Sequence, residues 1–295
     1  MPTVAHRAVD AKRSTLLAAL RDGLARRQPE LPAWYWWTSS DRPLREKVHA
    51  LPEPRLGEVE RALFASMPSH RVRAVVHLLP DVSGATRAAL APLIDTDGAP
   101  RYIRLEQPLE IAPDLPLPAN LERPCLIVCQ GNAVGVTHAV GTIRLLRAAR
   151  AAMRADDRLL LGVDLCTDAA ELERAHDDAG GVLAAYALSV LTTVNRQLGA
   201  DFDITCFRHR VRYVRELRRV ETLLVATRAH DVTIDGSPRS FRKGESIRVT
   251  VNTSFTRGTL EGMLTAVGLE MLEWRADNRQ RFAVVTAGVA TGGRV

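Results

Sequence analysis

The residues able to do chemistry sit where apolar segments end. The first such segment runs into HLLPDVSG, which gathers His77, Asp81, Ser83 and Gly84 in one turn. Ser83 to Thr86 reads as the start of a helix with Arg87 in its first turn, a place that favours an anion. Glu106 closes a second apolar segment behind Arg101 and Arg104. A carboxylate there is the residue type that holds a ribose diol, and the two arginine forks suit phosphate or sulfate. The third segment, CLIVC, ends in QGNAVG at 130–135. This glycine-rich turn brings Gln130, Gly131, Asn132 and Gly135 to the border of a pocket, with Asn132 its most pocket-like polar residue. Asp164 ends the fourth segment, and a carboxylate there demands a ligand or a structural partner. His176 stands beside Asp177 and Asp178, and His176 and His77 have the intrinsic pKa of a general base. The chain has no GxSxG, HExxH, CxxC or Walker motif. Nucleophilic hydrolysis and metal chemistry are therefore unsupported, and no metal is expected. Cys125 and Cys129 lie four apart on one face of a strand and read as buried thiols.

The elements that must carry these residues follow from periodicity. Leu16, Leu17, Leu20 and Leu24 mark a helix over 12–29 that Pro29 stops. LPAWYWWTSSDRP holds three of the four tryptophans and reads as a packed flap or a pocket wall. Two short helices follow in 43–67. From 72 onward RVRAVVHLL, APRYIRLEQ, CLIVCQGN and RLLLGVDL are strands that do not alternate, separated by helices near 84–94 and 137–153 and by the proline-rich stretch 110–124. Such runs predict a parallel sheet covered on both faces, an α/β doubly wound, Rossmann-like core. A helix at 168–198 carries a Gly-Gly pair at 180–181. Strands at 218–234 and 247–256 suggest an antiparallel insertion, and a helix at 259–267 precedes a final strand pair.

The composition is that of a folded globular chain: 295 residues, 46% hydrophobic, 25% charged and a formal charge of +6. Only three of the 40 basic residues are lysines, and acids are interspersed among the arginines. The densest basic stretch, RHRVRYVRELRR at 208–219, lacks the stacking aromatics of a nucleic-acid surface, so no nucleic-acid partner is expected. No apolar run approaches the roughly 18 residues of a membrane span. The first residues show no apolar leader core, and a cytoplasmic location is expected.

Residues 158–213, RLLLGVDLCTDAAELERAHDDAGGVLAAYALSVLTTVNRQLGADFDITCFRHRVRY, strongly resemble the histidine-specific, S-adenosylmethionine-dependent methyltransferases of ergothioneine biosynthesis. The likeness extends through 247–277, the QGNAVG loop and WYWWTSSDRPLREKVHALPEP at 34–54. It implies a methyltransferase core and a second substrate-binding lobe built from the N-terminal region and the insertion. It also implies where functional residues fall. The family's glutamate and glycine-rich turn after the first strand match His77 to Asp81, and its ribose-binding aspartate matches Glu106. The stretch from Glu106 to Cys129 is too short for the family's adenine-contacting Asp-Phe segment. The STIGN-like loop matches Gly131 to Gly135, placing its asparagine on Gly135. The substrate-lobe tyrosine falls at or next to His176. RxEIS matches Arg248 to Asn252, placing its glutamate and serine on Thr250 and Asn252.

These departures lead to the expectation of a retooled transferase for an amino-acid-like small molecule. Its expected donor is an anionic nucleotide, with sulfuryl transfer from 3′-phosphoadenosine 5′-phosphosulfate (PAPS) the concrete candidate. The alternatives are S-adenosylmethionine-dependent N-methylation of an amino-acid-like amine, and a non-catalytic subunit supporting a partner protein. The expected catalytic residues are His176 and His77. Asp81, Ser83, Gly84, Arg87, Arg104, Glu106, Gln130 and Gly131 are expected at the cofactor. Tyr35, Trp36, Arg55, Asn132, Gly135, His176, Thr250 and Asn252 are expected at the substrate. The expected division is 1–70 as the N-terminal part of the substrate lobe, 71–200 as the core, 201–256 as the insertion and 257–295 as a return to the core sheet.

Overall fold

The computed structural model describes residues 14, 17–32, 35–36, 42–51, 56–78, 84–96, 98–105 and 115–291. In chain order the strands are β1 (His70–Arg71), β2 (Ala74–His77), β3 (Ile94–Asp95), β4 (Arg101–Arg104), β5 (Cys125–Cys129), β6 (Arg158–Asp164) and β7 (Phe207–Val214). They continue as β8 (Arg219–Ala226), β9 (His230–Ile234), β10 (Ser237–Phe241), β11 (Ser246–Thr253), β12 (Leu269–Ala276) and β13 (Phe282–Val289).

The chain divides into two units. One is formed by 53–167 with 252–295, the other by 1–52 with 168–251. This differs from the division read from sequence: the segment 168–200 groups with the insertion rather than with the core, and 53–70 groups with the core.

The core unit holds a six-stranded sheet in the order β12-β13-β6-β5-β2-β4. β4, β2, β5 and β6 run parallel, and β13 and β12 close the sheet antiparallel. The reason is in the residues: β2 and β5 are buried throughout and β6 beyond its first residue, which only a sheet covered on both faces allows. One face packs Val76, Ile127, Leu159 and Leu161 against the helices Ala139–Ala152 and Arg257–Ala266. The other packs Val75, Leu126, Val128 and Leu160 against the helices Leu56–Phe64 and Gly84–Leu90. The doubly wound Rossmann-like core expected from sequence is present. After β2 the chain goes first to β4 on one side and then to β5 on the other. The strand order therefore reverses between β2 and β5, and in open α/β sheets the ligand crevice lies at that reversal, beyond the carboxyl ends.

The second unit contains a three-stranded sheet, β11-β8-β7, and the hairpin β9-β10. The helix expected at 168–198 is two helices, Ala169–His176 and Val182–Leu198. Gly181 takes φ +70°, and the Asp178 carboxylate accepts from the Val182 and Leu183 N–H groups to start the second helix. Likewise 218–234 is not one strand, since β8 and β9 are separated by a bend at 227–228.

Candidate active site

The carboxyl edge of the core sheet is built by three adjacent strand ends. β5 leads into Gly131 at φ +65° and Asn132 at φ +59°, two consecutive left-handed residues that turn the chain sharply back over the sheet edge. Asn132 is almost wholly buried. Its Oδ1 accepts from the Asp164 N–H at 3.0 Å, and its Nδ2 donates to Asn252 Oδ1 and, at 3.1 Å, to the Thr253 carbonyl. Both amide hydrogens are therefore used. Asn132 ties the end of β5 to β6 and to the end of β11, and its side chain is a strut of the crest. Gly135 belongs to the same arrangement, because a Cβ there would lie 2.5 Å from Asn132 Nδ2 and 2.6 Å from the Thr253 carbonyl. The structure thus brings Asn132, Gly135, Asn252 and Asp164 together. Asp164 itself caps the Cys166 N–H at 2.8 Å.

Two buried polar atoms flank the strand-order reversal with no hydrogen-bond partner among the described residues: His77 Nε2 at the end of β2 and Gln130 Oε1 just after β5. His77 is 2% exposed. Burial, aided by the nearby Arg87 guanidinium, pushes its pKa down to about 4. Its ring is neutral at neutral pH and only weakly basic, which favours a polar contact over the general base expected from sequence. Arg87 is already engaged, 4.7 Å above the Tyr102 ring, and Arg101 and Arg104 lie exposed on the edge strand β4. Gly84 opens the helix Gly84–Leu90. Asp81, Ser83, Glu106 and Arg55 lie outside the described residues.

Glu60 reaches this crest from the helix Leu56–Phe64. Its Oε1 accepts from the Gly131 N–H at 2.9 Å and occupies the space over Gly162 that a Cβ would fill. Burial raises its pKa to about 7, against the opposing pull of the Gly131 N–H and Arg61. The sequence reading missed it, although a signal existed. Glu60 sits four residues after Leu56 and three and four before Leu63 and Phe64, on the apolar stripe of its helix. The cysteines play no such part: burial pushes the Cys125 and Cys129 thiols up to about 12, which leaves them inert.

In the second unit, Tyr35 is completely buried. The Trp36 carbonyl accepts from the Tyr186 hydroxyl at 2.6 Å, and the two rings meet edge to face at 4.9 Å. The His176 Nδ1–H donates to the Leu172 carbonyl at 2.8 Å, which makes Nε2 the basic nitrogen of the neutral ring. Burial holds its pKa below the usual histidine range, and the neighbouring His209 adds to that effect. Thr250 is buried on β11. Two positions before it, Arg248 pairs with Glu30 and with Glu221, the latter at 3.1 Å. Glu221 also accepts from Arg212 and Arg219, each at 2.5 Å. Burial works against this carboxylate, but the hydrogen bonds from Arg212 and Arg219 and the charges of Arg219 and Arg248 hold it below its ordinary range. Beside these pairs opens a cavity of about 410 Å³, with Gln28, Tyr213 and Leu217 completing its wall.

A model of the family described as histidine-specific, S-adenosylmethionine-dependent methyltransferases matches residues 112–289. That span covers Gln130, Gly131, Asn132, Asp164, His176 and Thr250. The chain belongs to this family. Among curated relatives, the histidine N-alpha-methyltransferase of Mycobacterium tuberculosis (strain CDC 1551 / Oshkosh) is 36% identical over 169 residues, 55% of this chain and 51% of that protein. The histidine N-alpha-methyltransferase of Mycolicibacterium smegmatis is 26% identical over 310 aligned positions, 95% of this chain and 97% of that protein. The match thus spans about half of the first relative and nearly all of the second. Among solved structures, the CcbJ methyltransferase from Streptomyces caelestis is 15% identical with a TM-score of 0.42, over 82% of this chain and 98% of that one.

Family membership keeps the expectation of a transferase and overturns that of an anionic nucleotide donor. The PAPS reading rested on Arg87, Arg101 and Arg104, and these are stacked on an aromatic ring or exposed at the sheet edge. The donor this family uses carries a sulfonium cation, and the crest fits it. It offers the carboxyl of Glu60, the tight turn at Gly131 and the buried Gln130 Oε1, an acceptor with no partner among the described residues. No helix of the described residues is long and apolar enough to cross a membrane, and no group of three His, Cys, Asp or Glu among them is placed to hold a metal ion.

Proposed function

We propose that this protein is an S-adenosylmethionine-dependent N-methyltransferase acting on the amine of an amino-acid-like substrate whose side chain is not a basic ring. The observation that carries the reading is the family match over 112–289, which takes in the Gln130–Gly135 turn, the end of β6 and β11. When bound, S-adenosylmethionine supplies an electrophilic methyl carbon and a neutral thioether leaving group. Gln130 and Gly131 are the core residues that would hold it, by an amide oxygen and a backbone turn. The acceptor amine attacks only with its lone pair free, so a base must take its proton.

Specificity is read from Thr250. The resemblance places a glutamate that recognises the histidine substrate at this position, and a threonine hydroxyl is a weaker, uncharged acceptor for an imidazole N–H. Replacing a charge-assisted hydrogen bond to the ring by a neutral one costs binding, so histidine is a poor acceptor. The test is a panel of the common amino acids and their amines, incubated with protein and S-adenosylmethionine and read by mass spectrometry. An acceptor with a neutral side chain is methylated in preference to histidine, and Thr250→Glu moves the ratio toward histidine by about tenfold, equivalent to about 1.4 kcal/mol. Histidine as the best acceptor of the unaltered protein would refute the specificity. Absence of methylated product with every amine would refute the function.

A further inference from the structure

Glu60 is a buried acid of the crest in a position that apolar packing alone does not explain. Glu60 leaves a helix whose other inward residues, Leu63 and Phe64, are apolar core, and it is 4% exposed. Its carboxyl oxygen lies where any residue but glycine at 162 would collide with it, and it accepts from the backbone N–H of Gly131 at 2.9 Å. β6 keeps a glycine in the middle of an otherwise bulky apolar strand, which is the mark of a close approach by another group. The acid is thus seated at the edge of the sheet, under the turn that follows β5 and next to the point where the strand order reverses.

We propose that Glu60 is a positioning residue of the donor site. It holds the Gly131 turn, and it loses its proton to solvent when the sulfonium donor binds, so that it favours the cationic donor over the neutral thioether product. This rests on the donor reading above and adds a charge-sensing residue to it.

The electrostatics have a definite sign. Without ligand, burial favours the neutral carboxyl, and its pKa stands at about 7. A cation close by stabilises the carboxylate and lowers that pKa. Binding of S-adenosylmethionine near pH 6–7 therefore releases a proton, and its affinity rises with pH through that range. S-adenosylhomocysteine has the same adenosyl and amino-acid groups without the sulfonium charge and drives no such release. The other ionisable groups around Glu60 are Arg61 on its own helix, Cys129 at the end of β5 and Asp164 two residues past Gly162 on the same face of β6. His77 ends β2 on that face, and Arg87 lies on the helix Gly84–Leu90. Cys129 stays a neutral thiol and His77 a neutral ring across pH 6–8, the former held up to about 12 and the latter down to about 4. Asp164 is committed to the Cys166 N–H. Glu60 is the carboxyl of this set that burial holds at about 7.

The experiment is calorimetry of S-adenosylmethionine and S-adenosylhomocysteine binding at pH 6, 7 and 8, each in two buffers of different ionisation enthalpy. The unaltered protein and Glu60→Gln, which keeps the shape and the acceptor for Gly131, are compared. In the unaltered protein the donor binds about fivefold more tightly at pH 8 than at pH 6 and releases up to one proton, while the product shifts by less than twofold. In Glu60→Gln the donor's pH dependence falls to that of the product. Equal pH dependence for donor and product in the unaltered protein overturns the proposal without needing a variant, and so does a Glu60→Gln protein that keeps the donor's dependence. If the donor binds with no proton release, the proposal fails and the donor reading survives; if it does not bind at all, both fall.

Discussion

At the residue scale, the decisive features are polar groups placed where apolar ones are the default. Glu60 has a consequence for stability that needs no ligand. Its folded pKa of about 7 lies above the ordinary carboxyl value. Between the two values the folded state holds a proton that the unfolded state has lost, so stability falls as pH rises through that window. The loss amounts to up to about 3 kcal/mol. Melting temperatures measured from pH 4.5 to 8 decline less steeply for Glu60→Gln than for the unaltered protein. Parallel curves would contradict the burial of an ionisable acid. Much of this residue pattern was legible in advance: Gly162 interrupts RLLLGVDL, and Glu60 interrupts the stripe of Leu56, Leu63 and Phe64. What could not be read was that the two interruptions answer each other, because they lie far apart in sequence. The arginines show the opposite failure. Arg87, Arg101 and Arg104 are close in sequence and suggested one anion site, yet Arg87 is spent on Tyr102 and the other two face outward.

At the element scale, β8 and β11 form an ionic layer within the second unit. Glu221, 1% exposed, is the acid shared by Arg212, Arg219 and Arg248, and Arg248 passes on to Glu30. Removing this shared buried acid takes away a counter-charge common to Arg212, Arg219 and Arg248. Glu221→Ala is expected to cost about 3–5 kcal/mol, read as a lowered denaturant midpoint. A change below about 1 kcal/mol is the size of a surface pair and would show the layer to be solvated. Because the Glu221 carboxylate is held below its ordinary pKa, its contribution is present above that ordinary value and lost as pH falls through the depressed one. The strands themselves were readable from β-branched and apolar runs. The helix break at 177–181 was signalled by Gly180 and Gly181, but the restart depends on Asp178, whose capping of Val182 and Leu183 becomes visible only once the turn is formed.

At the scale of the whole molecule, the chain visits each unit more than once, leaving the second unit at 52, returning to it at 168 and leaving again at 252. The parallel core was legible because unbroken apolar strands admit few alternatives. The assignment of 168–200 to the second unit was not, since an amphipathic helix packs equally well on either side and nothing local decides between them. The same limit applied to function. The resemblance over 158–213 pointed to the family, whereas the altered turn at His77 to Asp81 pointed away from its donor. The family match over 112–289, with the buried carboxyl of Glu60 at the Gly131 turn, supports the proposed sulfonium donor. That claim is tested most directly by following a methyl label. With S-adenosylmethionine deuterated in its methyl group, the account predicts the intact labelled methyl on the amine nitrogen of an amino-acid acceptor, with S-adenosylhomocysteine formed in equal amount. A label that stays on the donor with every amine offered, or that arrives on an oxygen, would contradict it.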